Sequence, residues 1–284
     1  MIYMFQILNG IGLGMLYFLL AAGLSIIFGL LQFVNFAHGA FYLLGAYLTY
    51  DLVERGVSFW IALPIATLIV ALVAGAIEAL LLHRIYKLPH TFHILVTVGI
   101  ALVFQELAII IWGPIGGSVP TPDGLNGVVM LGNFVYPQYR LFTIAVTAVL
   151  AGGLWWLLEG TRLGAIVRAG SESASNMALL GYNTMRINTA VFAFGAGLAG
   201  LAGALAAPIR GVDPFMGAEA LSVAFVVVVI GGMGSYSGAL VAGLLIGITQ
   251  SLMSTIWPQG AQLFIYIAMA AVIAIRPRGL LGRI

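Results

Sequence analysis

Residues 5–33 read FQILNGIGLGMLYFLLAAGLSIIFGLLQF and contain no aspartate, glutamate, lysine or arginine. A helix needs about 20 consecutive, mostly apolar residues to cross the hydrocarbon core of a bilayer. The run exceeds that length and therefore predicts a membrane-spanning helix. The first basic residue is Arg55, so the positively charged start of a cleavable signal peptide is missing, and we expect this helix to stay in the mature protein.

The composition extends this interpretation to the whole chain. Of its 284 residues, 62% are hydrophobic and only 7% are charged, and the mean hydropathy is +1.12. A soluble domain carries about 25% charged residues, so lipid must cover most of this surface. The net charge of +2 is too small to indicate a nucleic-acid partner. The absence of cysteine excludes thiolate catalysis, disulfides and cysteine-ligated metals.

Further apolar segments follow the first one, separated by polar breaks that carry glycine or proline. They cover 36–50, 57–82, 91–112, 141–158, 187–208, 220–232, 238–257 and 260–275. The polar gaps between them, about 25–30 residues at most, are too short for a separate soluble domain. We therefore predict an all-α fold, a polytopic transmembrane helical bundle forming one domain over residues 1–284.

Two of these segments, 36–50 and 220–232, are too short to cross a bilayer comfortably. Each neighbours a polar, glycine-bearing break, at 32–39 and 231–238. Broken or short central helices at corresponding places in two halves indicate a transporter's central site. His38-Gly-Ala and Ser237-Gly-Ala suggest that the two breaks correspond, and we expect both to run in the same direction.

The orientation follows from the basic residues of the short loops, because arginine and lysine collect on the cytoplasmic side. Three clusters of basic residues are separated from one another by an even number of predicted membrane crossings, so all three can lie on the same side. They are Arg84 with Lys87, then Arg162, Arg168 and Arg186, and finally Arg276, Arg278 and Arg283. The sequence thus predicts an N-terminus outside, a cytoplasmic C-terminus and an external loop over 113–140.

Polar residues inside or beside the spans are candidates for a substrate pathway. An ionisable residue such as Glu106 costs about 2.5–3.5 kcal/mol at the centre of a span, so it must face protein or a wet cavity. Glu106 either forms part of the wall of a translocation path, or is a carboxyl that pairs with another helix or lies near the outer interface. Asn35 and His38 either line a pore or bond backbone that the break leaves free. Ser235 and Ser237 carry the same two alternatives, since serine often bonds its own helix. The candidate pathway residues are Asn35, His38, Gln105, Glu106, Ser235 and Ser237.

Two other patterns have structural explanations. Glu78 lies near the cytoplasmic end of its span, where pairing with Arg84 or reaching to the interface accounts for it. Gly195, Ala199 and Gly203 recur at every fourth position and predict a smooth helix face for close packing. No cluster of histidine and acidic residues has the spacing of metal ligands, so we expect no metal and no cofactor.

The cytoplasmic loop at about 160–186 predicts a short amphipathic helix. Ser171 suits the N-cap, Glu172 suits the first turn, and Gly181 suits the stop. Such a helix either rests on lipid headgroups or inserts into a groove of a soluble partner.

At this loop the chain resembles a known family. Residues 168–186, RAGSESASNMALLGYNTMR, resemble the coupling-helix region of permease subunits of branched-chain amino acid ABC importers (LivH type). Further stretches agree in the same order along the chain. They are GLSIIFGLLQFVNFAHG at 23–39, FQE at 104–106, VPTPDGL at 119–125, VIGGMGS at 229–235 and RPRGL at 276–280.

The resemblance implies one half of a permease heterodimer in a bacterial inner membrane. Its expected partners are a second homologous permease subunit, two cytoplasmic ATPase subunits, a periplasmic substrate-binding protein and the lipid bilayer. The residues expected to couple to an ATPase are Arg168, Glu172, Ala174, Met177, Ala178, Leu180, Gly181 and Arg186. The glycine follows the glutamate at a longer spacing than in the wider importer pattern.

The sequence also indicates, independently of the resemblance, that this chain does not hydrolyse ATP. A Walker A motif needs G-x-x-x-x-G-K-[ST], and Lys87 lies in YKLP without those glycines. We therefore predict a non-enzymatic subunit whose ATP hydrolysis takes place on other chains. The alternatives are a urea or short-amide ABC permease, a proton-coupled secondary amino acid transporter using Glu106, and an intramembrane enzyme. An intramembrane enzyme would need a nucleophile–base pair or a carboxylate pair within the spans, and the predicted spans of this sequence contain neither.

Overall fold

The computed structural model describes residues 2–131 and 134–282, except for the side chains of residues 131, 134 and 174–176. Its α-helices are α1 Ile2–Leu31, α2 His38–Glu54, α3 Phe59–Leu80, α4 His90–Trp112, α5 Gln138–Gly160, α6 Arg162–Glu172, α7 Ala174–Leu179, α8 Thr184–Arg210, α9 Met216–Gly231, α10 Tyr236–Ile256 and α11 Ala261–Ile275. Short 3₁₀ turns occupy Leu82–Ile85 and Pro258–Gly260. Strands β1 Val128–Leu131 and β2 Phe134–Pro137 form an antiparallel hairpin.

Every predicted apolar segment is helical, which confirms the all-α membrane bundle. Seven helical stretches within the described residues are long and apolar enough to cross a membrane. The helices α2 and α9 are shorter, as the segments 36–50 and 220–232 predicted. The hairpin was not predicted, because four-residue strands leave too little periodicity to distinguish from a loop.

Helices α1 and α8 form the centre of the bundle. In each of them 78% of the apolar window is buried, against 11% in α4. Glycines allow α1 to approach α10 closely. A methyl group on Gly10 would lie 2.4 Å from Ile248 Cα, and one on Gly14 would lie 2.7 Å from Gly243 O. The two helices are therefore antiparallel and packed backbone to backbone.

The predicted smooth face of α8 is confirmed, because its small residues contact neighbouring helices. A methyl group on Gly195 would meet Ile27 Cγ1 at 2.7 Å, and one on Gly203 would meet Tyr42 O at 2.0 Å. Gly200 packs in the same way on Val70 of α3. Close packing of small residues thus holds α1, α2 and α3 around α8.

The helices repeat in order, with α1–α4 matching α8–α11. In the first set a break at 32–37 separates a long helix from a short one, and in the second set 211–215 does the same. The next breaks, 55–58 and 232–235, also agree in position. This is an internal structural repeat of the kind found in many transporters.

The second set is inverted relative to the first. Tyr139 Oη donates to Leu205 O at 2.9 Å, and Arg140 donates to Asn9 Oδ1. Since Tyr139 and Arg140 both lie at the start of α5, the C-terminal part of α8 is beside the N-terminal part of α1. The two central helices therefore run antiparallel.

The expected correspondence of the breaks at 32–39 and 231–238, both running in one direction, is wrong. The counterpart of 32–37 is 211–215, and the direction is opposite. Hydropathy marks where a chain leaves a helix but carries no information on how far the following loop re-enters the bundle. The sequence GVDPF at 211–215 therefore looked like an ordinary loop.

Candidate functional site

The break between α1 and α2 is held by interactions inside the chain. Gln32 adopts a left-handed φ of 56°, and Phe33 stacks on His93 with ring centroids 4.9 Å apart. Asn35 is fully buried, and its Oδ1 accepts from Ala37 N at 3.1 Å. This side chain closes the turn that starts α2, while its Nδ2 has no hydrogen-bond partner among the described residues.

His38 fastens the first turn of α2 to the middle of α1. Its side chain is fully buried, and Nε2 lies 3.0 Å from Leu20 O. The carbonyl can only accept, so Nε2 carries the proton. Within the described residues Nδ1 has no partner. A role of Asn35 and His38 in a pathway stays a prediction, because the cavities described below are lined by other residues.

The starts of α2 and α9 meet at a cavity of about 190 Å³, here called the half-helix cavity. Gln105 of α4 lines it. The other lining residues are Phe36, Gly39, Ala40, Leu43, Val98, Ala101, Leu102, Pro214, Gly217, Ala218 and Leu221. Its wall is mainly apolar, with the Gln105 amide as a polar side chain, a lining of the kind found in small-molecule sites.

Glu106 follows Gln105 on α4 and lies on the outer surface of this chain. Its side chain is exposed among the exposed apolar side chains of Leu102, Val103 and Ile110. A carboxylate in such a span cannot remain against lipid without a large energetic penalty. The role of Glu106 in a pathway stays a prediction.

Ser235 and Ser237 lie apart from the half-helix cavity. Ser235 Oγ caps α10 by accepting from Gly238 N at 3.1 Å. Both serines line a second cavity of about 410 Å³ beside α6, here called the α6 cavity. The structure thus divides the predicted pathway residues among four places, and their roles in transport stay predictions.

The loop at 160–186 contains two helices rather than one. Thr161 caps α6, accepting from Gly164 N at 3.2 Å, and α6 ends at Glu172. The predicted start at Ser171 is wrong, since Ser171 Oγ donates to Arg168 O inside the last turn of α6. Serines that bond local backbone favour an interruption in such a run. The predicted stop at Gly181 is confirmed by its φ of 85°.

The expected coupling residues divide into a buried anchor and an exposed tip. Met177 is 3% exposed, and its sulfur faces Gly170 of α6. Ala178, Leu180 and Gly181 are exposed. The exposed fraction of Leu180 is 75%. We call Ala178–Tyr182 the apolar tip, because Leu179 and Tyr182 are exposed as well.

The remaining coupling candidates lie around this tip. Arg168 pairs with Glu159 at 3.4 Å, and the side chains of Glu172 and Arg186 are exposed. The Arg186 backbone N–H donates to Asn183 Oδ1, the cap of α8. The side chain of Ala174 lies outside the described ones. A coupling role for these residues stays a prediction.

Glu78 is buried rather than paired with Arg84, so that expectation is wrong. It is fully buried and accepts hydrogen bonds from Tyr86 Oη and Thr189 Oγ1. Burial and the bond to this carboxylate raise the pKa of the Tyr86 hydroxyl, which keeps it a donor. The carboxylate ties α3 to α8, a contact that sequence spacing could not indicate because Thr189 is distant along the chain.

Sequence reasoning missed a third cavity, of about 450 Å³, between α1, α5, α8 and α10. Arg140 and Arg210 both line it, together with Asn9, Tyr17 and Tyr136. Each arginine lies at a helix end on the side opposite the predicted cytoplasmic clusters. The sequence feature that could have indicated this cavity is the pair of arginines itself, because arginine is less common on the outer side of a membrane protein than on the cytoplasmic side.

Helices that cross a membrane, an inverted repeat and two short helices meeting at a cavity define the class of multi-pass membrane permeases. The family described as branched-chain amino acid transport system, permease component, matches residues 6–274. The chain belongs to this family. It is a membrane-spanning permease subunit of an ABC importer and a multi-pass inner-membrane protein.

Curated relatives agree over nearly the whole length. The permease protein LivH of Escherichia coli is 28% identical over 98% of this chain and 95% of its own length. BraD of Pseudomonas aeruginosa is 27% identical over 99% of this chain and 96% of its own. LivM of Escherichia coli is 31% identical over 95% of this chain and 68% of its own. No solved structure matches the chain.

Proposed function

We propose that the chain passes branched-chain or related neutral amino acids through the membrane as one half of a permease heterodimer. The relatives named LivH and LivM are both permease proteins of high-affinity branched-chain amino acid transport systems. Because this chain resembles both, a second, homologous permease is the expected partner. The cargo is transported unchanged, so no catalytic residues are required.

The exposed carboxylate of Glu106 is the observation that carries the proposed path. It lies on the α4 face beside Gln105, and Gln105 lines the half-helix cavity where α2 and α9 begin. A span can hold an ionisable residue when it faces protein or a wet cavity. The second permease subunit therefore covers this face, and the path runs between the two subunits past Gln105 and Glu106.

The apolar tip is the proposed contact with an ATPase. It projects from a polar loop, outside the seven stretches that can cross a membrane, and its leucines are among the most exposed apolar side chains of the chain. A short helical turn with an exposed apolar face fits a hydrophobic groove of a soluble partner. Met177, packed on α6, would transmit the movement of that partner into the bundle.

The orientation and the remaining partners complete the proposal. The Arg84–Lys87 loop, the α6–α7 region and the C-terminal tail face the cytoplasm, where two ATPase subunits bind. The β-hairpin side faces outward, where a substrate-binding protein docks. ATP hydrolysis belongs to the ATPase subunits, since the surroundings of Lys87 lack the Walker A glycines.

Glu106 and the cargo can be tested together in proteoliposomes that contain the complete transporter, its binding protein and ATP. We expect uptake of labelled leucine by the native complex, and a loss of about tenfold or more in Glu106→Leu. Glu54→Leu, which removes an exposed carboxylate outside the spans, should stay within about twofold. Equal uptake by Glu106→Leu would contradict the path, and uptake of urea without leucine would favour the short-amide permease.

A further inference from the structure

The α6 cavity lies where α1 and α5 end and where α10 begins, beside the second half of α6. It measures about 410 Å³. Polar lining side chains include Glu159, Arg168, Ser25 and Ser171. It shares no described lining residue with the half-helix cavity. The α6 cavity is therefore a second site, separate from the proposed path.

Opposite charges meet at the wall of this cavity. Arg168 Nη1 lies 3.4 Å from Glu159 Oε2, and both side chains keep part of their surface accessible. Ser25 is 2% exposed, and its Oγ has no hydrogen-bond partner among the described residues. A buried hydroxyl without a partner is unusual in a folded protein. The cavity thus offers a cation, an anion and an unused hydroxyl to one ligand.

The rest of the wall is apolar and includes branched side chains. Ile26 and Leu30 of α1 face Leu158 of α5 and Val167 of α6. Trp155, Met233 and Leu281 add to this surface. Such a wall receives an aliphatic group next to the charged pair.

We propose that the α6 cavity binds a zwitterion, with its anionic group on Arg168, its ammonium group on Glu159 and its aliphatic part against the apolar wall. Two sources supply this chemistry. One is a free neutral amino acid such as leucine, and the other is the headgroup of an ethanolamine phospholipid. Ser25 Oγ completes the set of hydrogen bonds in either case.

An occupant would join α6 to the loop between α9 and α10. Arg168 belongs to α6, whereas Met233 and Ser235 belong to that loop. A ligand that binds one arrangement better than others shifts the population toward it. Amino acid on the ATPase side therefore slows the cycle by holding α6, and with it the apolar tip. This consequence rests on the proposed function, and it means that the transported amino acid inhibits its own uptake.

The binding test uses the complete transporter in nanodiscs of phosphatidylcholine and phosphatidylglycerol, without binding protein or nucleotide. Labelled leucine is measured by equilibrium dialysis. We expect Glu159→Gln to weaken binding about tenfold or more, because a charge-assisted hydrogen bond is lost. Glu54→Gln is the matched control and should bind as the native complex does.

A second variant fills the cavity instead of changing its charge. A methyl group on Gly29 would have Gly234 Cα, at 3.9 Å, as its nearest contact. Position 29 has room for a Cβ and lines the cavity, so we expect a leucine side chain there to extend into it. Gly29→Leu should abolish the leucine binding that Glu159→Gln weakens.

The lipid source is tested by native mass spectrometry of the complex extracted from ethanolamine-containing membranes. Binding of leucine that depends on Glu159 and Gly29 supports the free amino acid. Retention of an ethanolamine lipid with the same dependence, and no leucine binding, supports the headgroup. If neither ligand responds to these two variants, the proposal is overturned.

Feedback is measured separately as the initial rate of ATP-driven leucine uptake, with leucine present or absent on the ATPase side. We expect the added leucine to slow the native complex and to leave Glu159→Gln unaffected. Uptake without added leucine reports the proposed function by itself. Failure of that uptake counts against the proposed function, whereas normal uptake with no feedback counts against the regulatory role alone.

Discussion

Gly39 and Gly217 contact each other's backbones reciprocally. A methyl group on Gly39 would lie 2.1 Å from Gly217 O, and one on Gly217 would lie 2.8 Å from Gly39 O. The two glycines are the second residues of α2 and α9, which occupy equivalent places in the inverted repeat. Their contact therefore joins the two halves of the chain at the wall of the half-helix cavity.

Replacing Gly39 by alanine should separate the two short helices. The added methyl group would collide with a carbonyl oxygen that cannot move without shifting α9, and overpacking of this kind costs about 1–3 kcal/mol. We expect a lower melting temperature in detergent and slower transport. Gly99→Ala on α4 is the control, because a methyl group there has nothing within 4 Å. Equal stability of the two variants would contradict the close contact.

The buried carboxylate of Glu78 should stabilise the link between α3 and α8. In Glu78→Leu the Tyr86 hydroxyl loses its acceptor, and an unsatisfied buried donor costs about 1–3 kcal/mol. We expect a lower melting temperature, part of which returns in the double variant Glu78→Leu with Tyr86→Phe. A double variant that is less stable by the full sum of the two single changes would show that the hydroxyl and the carboxylate do not interact.

Arginine in the apolar tip should uncouple transport from ATP hydrolysis. Ala178→Arg combined with Leu180→Arg would bring two charges into an apolar groove of the ATPase, where unpaired charges are strongly disfavoured. We expect normal insertion into the membrane, loss of co-purifying ATPase and uptake at least about tenfold lower. Ala178→Ser, which keeps the tip uncharged, is the matched control and should leave uptake close to that of the native complex. Unchanged uptake by the double variant would remove the tip from the coupling surface.

The absence of cysteine makes the orientation measurable with single introduced thiols. Val128 and Leu88 are 54% and 43% exposed, so a cysteine at either position is accessible to a maleimide. We expect a membrane-impermeant maleimide to label Val128→Cys in intact cells. Leu88→Cys, between the basic residues of its loop, should react only after the membrane is permeabilised. The reverse labelling pattern would show that the orientation is opposite to the predicted one.

The helices were predictable because each apolar run has to satisfy its backbone hydrogen bonds internally in lipid. Residues 36–50 and 220–232 even indicated which helices are short. The inverted relation was not predictable, since it depends on how 211–215 folds back to bring Met216 beside α2. That return is set by the Gly39–Gly217 contact between residues distant in sequence.

The candidate site was only partly predictable for a similar reason. Polarity inside an apolar run drew attention to Asn35, His38 and Glu106 alike. The structure separates them, because Asn35 and His38 are fully buried while Glu106 is exposed. Hydropathy reports the environment of a whole helix, whereas the direction of one side chain depends on the packing of its neighbours.

The most direct test of the account is whether the chain can work alone. The purified chain is placed in liposomes and compared with the complete transporter, which adds the second permease, the ATPases, the binding protein and ATP. We predict that only the complete transporter concentrates leucine, and that a proton gradient drives no uptake by the single chain. Accumulation of leucine against its gradient by the single chain would contradict the account.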